Sequence, residues 1–161
     1  MQIFSWSKVP TEIPPSIKRF VIVCDEAHSM GAFPKPSERA KLVKEFIAKN
    51  KNPYVILLSG TPTPESYSQM YHQVYGIKGN PFSQHKNFYR FCDEYVAIKE
   101  RMINSLLIKD YSGGSQKILD KMNPYIINYT QKQAGFKVET REHIMHVKMS
   151  DMTYSLTAKL K

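Results

Sequence analysis

Two apolar runs constrain this chain more than any other feature. Phe20-Val21-Ile22-Val23-Cys24 and Tyr54-Val55-Ile56-Leu57-Leu58 are continuous and rich in β-branched residues. Such runs read as strands buried on both faces, as in a parallel sheet. Between them, Ser37 is placed to cap a helix through about Lys49. Ala40, Val43, Phe46 and Ile47 recur at helical spacing, with Lys41, Lys44, Glu45 and Lys49 on the other side. That pattern describes a surface helix packed on a sheet. Asn50 to Pro53 stops it. Strand, helix, strand makes a βαβ unit, so the expected fold class is α/β, a mainly parallel sheet flanked by helices.

Open sheets of this kind bind ligands beyond the carboxyl ends of their strands. The first run ends in Asp25-Glu26-Ala27-His28 and the second in Ser59-Gly60-Thr61-Pro62. Both polar loops are therefore expected on one edge.

The flanking segments are less regular. Gln2 to Trp6 reads as a short strand, and Pro10, Pro14 and Pro15 mark a loop. Ser29 to Pro36 reads as a loop. From Glu65 the pattern turns helical, with Met70, Tyr71, Val74 and Tyr75 on one side, and Gly76 to Pro81 is a turn. Ser83 is expected to cap a helix carrying Phe88 and Phe91. Residues 97 to 111 fit strand and helix equally. Ser115 is expected to cap a short helix to Met122, broken by Asn123-Pro124. Tyr125 to Ile127 and Ile144 to Met149 read as strands. There is no internal repeat and no low-complexity tract.

With 161 residues and 42% hydrophobic content the chain can bury one core. It carries 23 basic against 14 acidic residues, a net charge of +9. That excess favours polyanionic partners, because phosphate contacts release condensed counterions. A solvated, lysine-rich surface would look the same. Lys41, Lys44, Lys49 and Lys51 read as the wet face of a helix, and Tyr67, Tyr71 and Tyr75 as packing rather than base stacking. Cys24 and Cys92 form no CxxC pair, which argues against a disulfide framework or a zinc knuckle. A reducing, intracellular setting in cytoplasm or nucleus fits best. No apolar run approaches the ~20 residues of a membrane span, and no signal peptide is evident.

Adjacent carboxylates directly after a buried strand are costly unless something cationic meets them. One carboxylate can help to hold magnesium through its waters, and the other can orient or deprotonate an attacking water. Acidic residues also begin ordinary solvated loops, and Ser-Gly-Thr-Pro is ordinary turn chemistry. The two motifs gain force from sharing one βαβ unit and from His28.

These residues resemble the superfamily-two helicases and translocases, especially the Swi/Snf-like branch. Val-Ile-Val-Cys-Asp-Glu-Ala-His is similar to that family's motif II, a DEAH box, and Val-Ile-Leu-Leu-Ser-Gly-Thr-Pro to its motif III. Phe4-Ser5-Trp6, Glu65 to Tyr75, Phe82 to Tyr95, Lys121 to Lys132 and Arg141 to Lys161 look like the segments around those motifs. The resemblance implies that residues 1–161 form the second half of a first RecA-like lobe, a partial P-loop NTPase domain. It implies ATP and magnesium as cofactors, Asp25 assisting magnesium through water and Glu26 as catalytic base. His28, Ser59, Gly60 and Thr61 would couple nucleotide state to nucleic-acid binding and lobe closure. It implies nucleic acid as partner, DNA favoured over RNA. Which residues of this chain touch nucleic acid is not legible.

Two departures stand out. Where the family often has paired arginines after its closing strand, this chain has Asn128 and Tyr129. No GxxxxGK[ST] phosphate loop occurs in these residues, nor do the motifs of a second lobe. Without the phosphate loop no glycine-rich backbone cradles phosphates. The chain alone is therefore expected neither to bind ATP tightly nor to hydrolyse it, its partners being an upstream phosphate-loop segment and a second lobe. A non-catalytic module that binds nucleic acid or a partner remains open, as does another P-loop ATPase such as a clamp-loader-like machine.

Overall fold

The computed structural model describes residues 3–5, 9, 13, 14, 16–50, 53–103, 105–130, 132–135, 143–145, 148, 150 and 153. The chain divides into two units, Met1–Ile126 and Ile127–Lys161.

The first unit opens on the expected βαβ element. Strand β1, Val21–Cys24, leads through a 3-10 turn, Ala27–Met30, to helix α1, Glu38–Lys49. Strand β2, Tyr54–Leu57, returns parallel to β1, with Val21 opposite Tyr54 and Cys24 opposite Leu57. Ser37 caps α1, its hydroxyl accepting from Ala40 N–H at 3.2 Å. The cap satisfies one of the helix's orphan donors. Ala40, Val43, Phe46 and Ile47 are the buried face of α1, as their spacing predicts.

The two strands are not buried on both faces, which corrects the sequence reading. Ile22, Cys24, Val55 and Leu57 point towards α1 and its core. The opposite face presents Val21, Val23, Tyr54, Ile56 and Leu58, each about half exposed or more. Among the described residues the parallel sheet has only these two strands, so nothing covers that face.

After β2 the chain turns through Tyr67–Gln69 into helix α2, Met70–Val74, then α3, Phe88–Tyr95. Asn87, not Ser83, caps α3, accepting from Arg90 N–H at 3.0 Å. Ser83 is held instead in a turn, its N–H donating to Asn80 O at 3.2 Å. Within residues 97–111, β3 at Lys99–Ile103 pairs antiparallel with β4 at Leu106–Asp110. Ser105 lies between them at φ 63. Helix α4, Gln116–Met122, begins after Ser115 as expected, but the Ser115 side chain makes no cap bond. Asn123–Tyr125 extends it as a 3-10 turn, and no strand forms at Tyr125 to Ile127. Nor is there a strand at 3–5, 144, 145 or 148; the rest of those expected strands lies outside the described residues.

The larger core is aromatic. Phe91, fully buried, has ring centroids 4.9 Å from Tyr71, 5.0 Å from Phe82 and 5.1 Å from Tyr95. Leu57 and Ile77 pack against both this cluster and the one under α1, joining the two. Tyr71 is therefore core, as the helical spacing of the tyrosines predicts. Cys24 and Cys92 are free and buried. Burial pushes the Cys24 thiol up to about 11 and the Cys92 thiol up to about 12, so neither is a ready nucleophile.

In the second unit Thr130 and Gln133 bond to each other reciprocally. Gln133 N–H donates to Thr130 Oγ1 at 3.2 Å and Thr130 N–H to Gln133 Oε1 at 2.7 Å. Among the described residues, no helix is long and apolar enough to cross a membrane.

Candidate functional site

Both polar loops leave the carboxyl ends of the paired strands, and the ladder carries them out together. Leu58 N–H donates to Cys24 O, and Ala27 N–H donates back to Leu58 O, both at 2.9 Å. This extension brackets Asp25 and Glu26 and brings Ser59 alongside them. Ala27 is fully buried and Met30 nearly so, anchoring the far side of the first loop.

The backbone at Glu26 is left-handed, at φ 50 and ψ 46. For a residue with a Cβ this conformation costs about 1 kcal/mol or more. Asp25 supports it, its Oδ1 accepting from Glu26 N–H at 3.0 Å. Both carboxylates face solvent. Asp25 and Glu26 thus diverge from one strand end, as adjacent residues there must.

His28 joins the loops. Its Nδ1 lies 3.1 Å from Ser59 Oγ and 3.1 Å from Glu26 Oε2. The hydrogen bond runs between His28 Nδ1 and Ser59 Oγ, with the Glu26 carboxylate oxygen close beside it. Ser59 Oγ also accepts from Thr61 N–H at 3.2 Å, curling its own loop. Among the described residues, nothing lies within 4 Å of a Cβ built on Gly60. The site residues expected from sequence therefore come together: Glu26, His28 and Ser59 in direct contact, Thr61 through Ser59, and Asp25 and Gly60 on the rim.

Sequence reasoning missed two glutamines. Gln69 Oε1 accepts from Glu65 N–H at 3.1 Å and Ser66 N–H at 3.4 Å. Gln73 Nε2 donates to Pro62 O. Ser66-Tyr67-Ser68-Gln69 is a capping-box pattern, and that signal could have found the first of them. Ser66 and Ser68 in turn donate to Ser112 O and Tyr111 O, both at 2.7 Å. The segment after the second loop is thereby bonded to the base of the hairpin.

Among the described residues no group of three or more His, Cys, Asp or Glu could hold a metal alone. The chemistry of the donors still suits magnesium, which keeps most of its waters and takes one or two carboxylates plus phosphate oxygens. Asp25 offers an exposed carboxylate, engaged among the described residues by its bond to Glu26 N–H.

A shallow groove of about 240 Å³ lies elsewhere, between α1 and α2, lined by Lys41, Lys44, His72 and Tyr75 among others. The Lys44 ammonium sits 4.0 Å above the Tyr75 ring and Lys41 pairs with Glu38 at 2.6 Å. Both lysines are exposed, but Lys44 leans across the groove onto Tyr75 rather than standing free in water.

No curated protein and no solved structure matches the chain. Residues 7–158 match the family described as SNF2-related domain. That span includes both strand-end loops and all the elements that position them. With nearly the whole chain matched, the protein belongs to the SNF2-related domain family, within the ATP-dependent helicases and translocases.

Proposed function

We propose that this chain supplies the magnesium-and-water half of the ATPase site of a nucleic-acid translocase or helicase, its residues forming the second half of a RecA-like lobe. Asp25 holds magnesium through water, and Glu26 orients and deprotonates the water that attacks the terminal phosphate. His28, Ser59, Gly60 and Thr61 pass the state of the nucleotide to the nucleic-acid path; the charge of +9 suits a polyanionic partner, and the likeness to the Swi/Snf branch favours DNA over RNA. Bound beside Asp25, magnesium would supply neutralisation of the charge on the phosphoryl group of ATP.

The observation that carries this reading is the His28–Ser59 contact at 3.1 Å. It joins the two strand-end loops where ligands of open α/β sheets bind. The left-handed Glu26 adds weight, because strain of this kind gathers at functional sites. The apolar face that β1 and β2 leave exposed has room for a further layer of an α/β lobe.

The test pairs two preparations. The purified chain should show no magnesium-dependent ATP turnover. Combined with the upstream-encoded segment bearing a GxxxxGK[ST] loop, it should hydrolyse ATP, faster with DNA present, and Glu26→Gln should abolish turnover. Turnover by the chain alone, lost in Glu26→Gln, would sink the half-site reading. One observation favours a second reading, a non-catalytic nucleic-acid-binding module: these residues contain no phosphate loop. Salt-dependent DNA binding that no segment or nucleotide alters would support it.

A further inference from the structure

We infer that Gln73 is a positioning residue for the Ser59–Thr61 loop, and that Gly31 is the seat through which the Asp25–His28 loop rests on the same amide. The inference deepens the proposed function and rests on its assignment of Ser59 and Thr61 as coupling residues.

Gln73 lies on α2, 4% exposed. A buried primary amide is expensive unless its hydrogen bonds are made, and this one is made to the second loop, at Pro62 O. One helical turn earlier, Gln69 accepts from Glu65 and Ser66 N–H. Residues four apart share a helix face, so two amides grip the segment 62–66 from one side at both of its ends. The loop that carries Ser59 and Thr61 is thereby fixed at its exit, as β2 fixes its entrance.

The first loop touches the same two side chains. Gly31 N–H donates to His28 O at 2.9 Å, closing the turn that carries His28. A Cβ on Gly31 would stand 2.8 Å from Gln73 Nε2 and 2.9 Å from Gln69 Cβ. Only a glycine lets the backbone lie that close. The amides therefore form a second link between the loops, behind the direct His28–Ser59 contact. An apolar side chain at position 73 would fill the space but leave the Pro62 carbonyl without this donor.

The test is nuclear magnetic resonance on the full 161-residue chain, without nucleotide. Gln73→Leu keeps the volume and removes the donor. Thr61 N–H, which donates to Ser59 Oγ, should exchange about tenfold faster. The Gly60 amide and His28 ring signals should shift, while the ring signals of Phe82 and Phe91 stay. Gly31→Ala should move the same loop signals, and the double variant should move them no further than one change alone. If Gln73→Leu leaves Gly60, Thr61 and His28 unmoved, the inference is overturned. It is equally overturned if shifts spread evenly through the aromatic core, which is what a purely structural amide would produce. Should Gly31→Ala fail to fold, the Gln73→Leu spectrum decides alone. Because no nucleotide is involved, a responsive loop in a motor that never hydrolyses ATP would sink the proposed function only. Turnover with an unresponsive loop would sink only this inference.

Discussion

The Nδ1 of His28 lies 3.1 Å from the hydroxyl oxygen of Ser59, across the gap between the two strand-end loops. The bond is half-buried, so water competes with it only in part. Its net worth should be about 0.5–1.5 kcal/mol. Denaturant melts of His28→Ala, Ser59→Ala and the double variant should reveal a coupling energy of about 0.5–1 kcal/mol. Strict additivity of the two losses would mean that the loops meet by proximity alone.

Glu26 should be more stable as glycine. Its left-handed backbone costs a residue with a Cβ about 1 kcal/mol that glycine does not pay. The substitution also removes the Glu26–His28 contact, but Glu26 is largely exposed, and exposed pairs are worth little. Glu26→Gly should therefore raise stability by up to about 1 kcal/mol in thermal or denaturant melts while ending any turnover. A loss of stability would show that the left-handed turn is held by more than its two carboxylates.

Glycine at two positions should behave in opposite ways. A Cβ on Gly113 would stand 2.2 Å from the Ala97 carbonyl oxygen, a backbone atom that cannot turn aside. Gly113→Ala should cost about 3 kcal/mol, the upper end for overpacking, and loosen the base of the β3–β4 hairpin. Among the described residues Gly60 meets nothing within 4 Å, so Gly60→Ala should change stability by no more than about 0.5 kcal/mol. Any effect of Gly60→Ala on turnover in the completed motor would then come from a ligand's close approach, read by comparing melts with ATPase rates.

Legibility followed the range of each interaction. Helix α1 was readable because its signals are local: an apolar stripe at helical period and Ser37 just before it. The ends of β1 and β2 were readable because an apolar run breaks off sharply on charge. The hairpin was not, because an alternating pattern arises only when one face is buried, and Met102, Ile103, Leu106 and Leu107 are all exposed. Ser83 does not cap because α3 starts only at Phe88, where Asn87 stands at the cap position. The roles of Gln69 and Gln73 depend on contacts with Pro62, Glu65 and Gly31 that only the folded loops create. Even the Asp25–His28 motif, plain as a string, did not betray the left-handed Glu26.

Stability should fall as pH drops below neutrality, and His72 should be a principal cause. It is 6% exposed, and its ring stacks on Phe88 at 5.3 Å. Its Nε2 donates to Pro34 O at 2.9 Å, the partner that places the hydrogen on this nitrogen. Burial holds its pKa below the ordinary 6.5, only partly opposed by the Pro34 bond, with the Lys44 charge lowering it further. The unfolded chain then takes up a proton near pH 6.5 while the folded chain still refuses it. Stability is therefore complete above that pH and declines below it, by at most about 1.4 kcal/mol per pH unit for one proton. Glu94, held low by its His85 partner, loses its own contribution only below its ordinary 4.5, so the two windows separate. Denaturant midpoints at pH 7, 6 and 5 should fall steadily for the native chain. His72→Gln can still donate to Pro34 but cannot take up a proton, so its midpoints should fall less over that range, even from a lower start. Parallel slopes for the two proteins would show that His72 is not the group responsible.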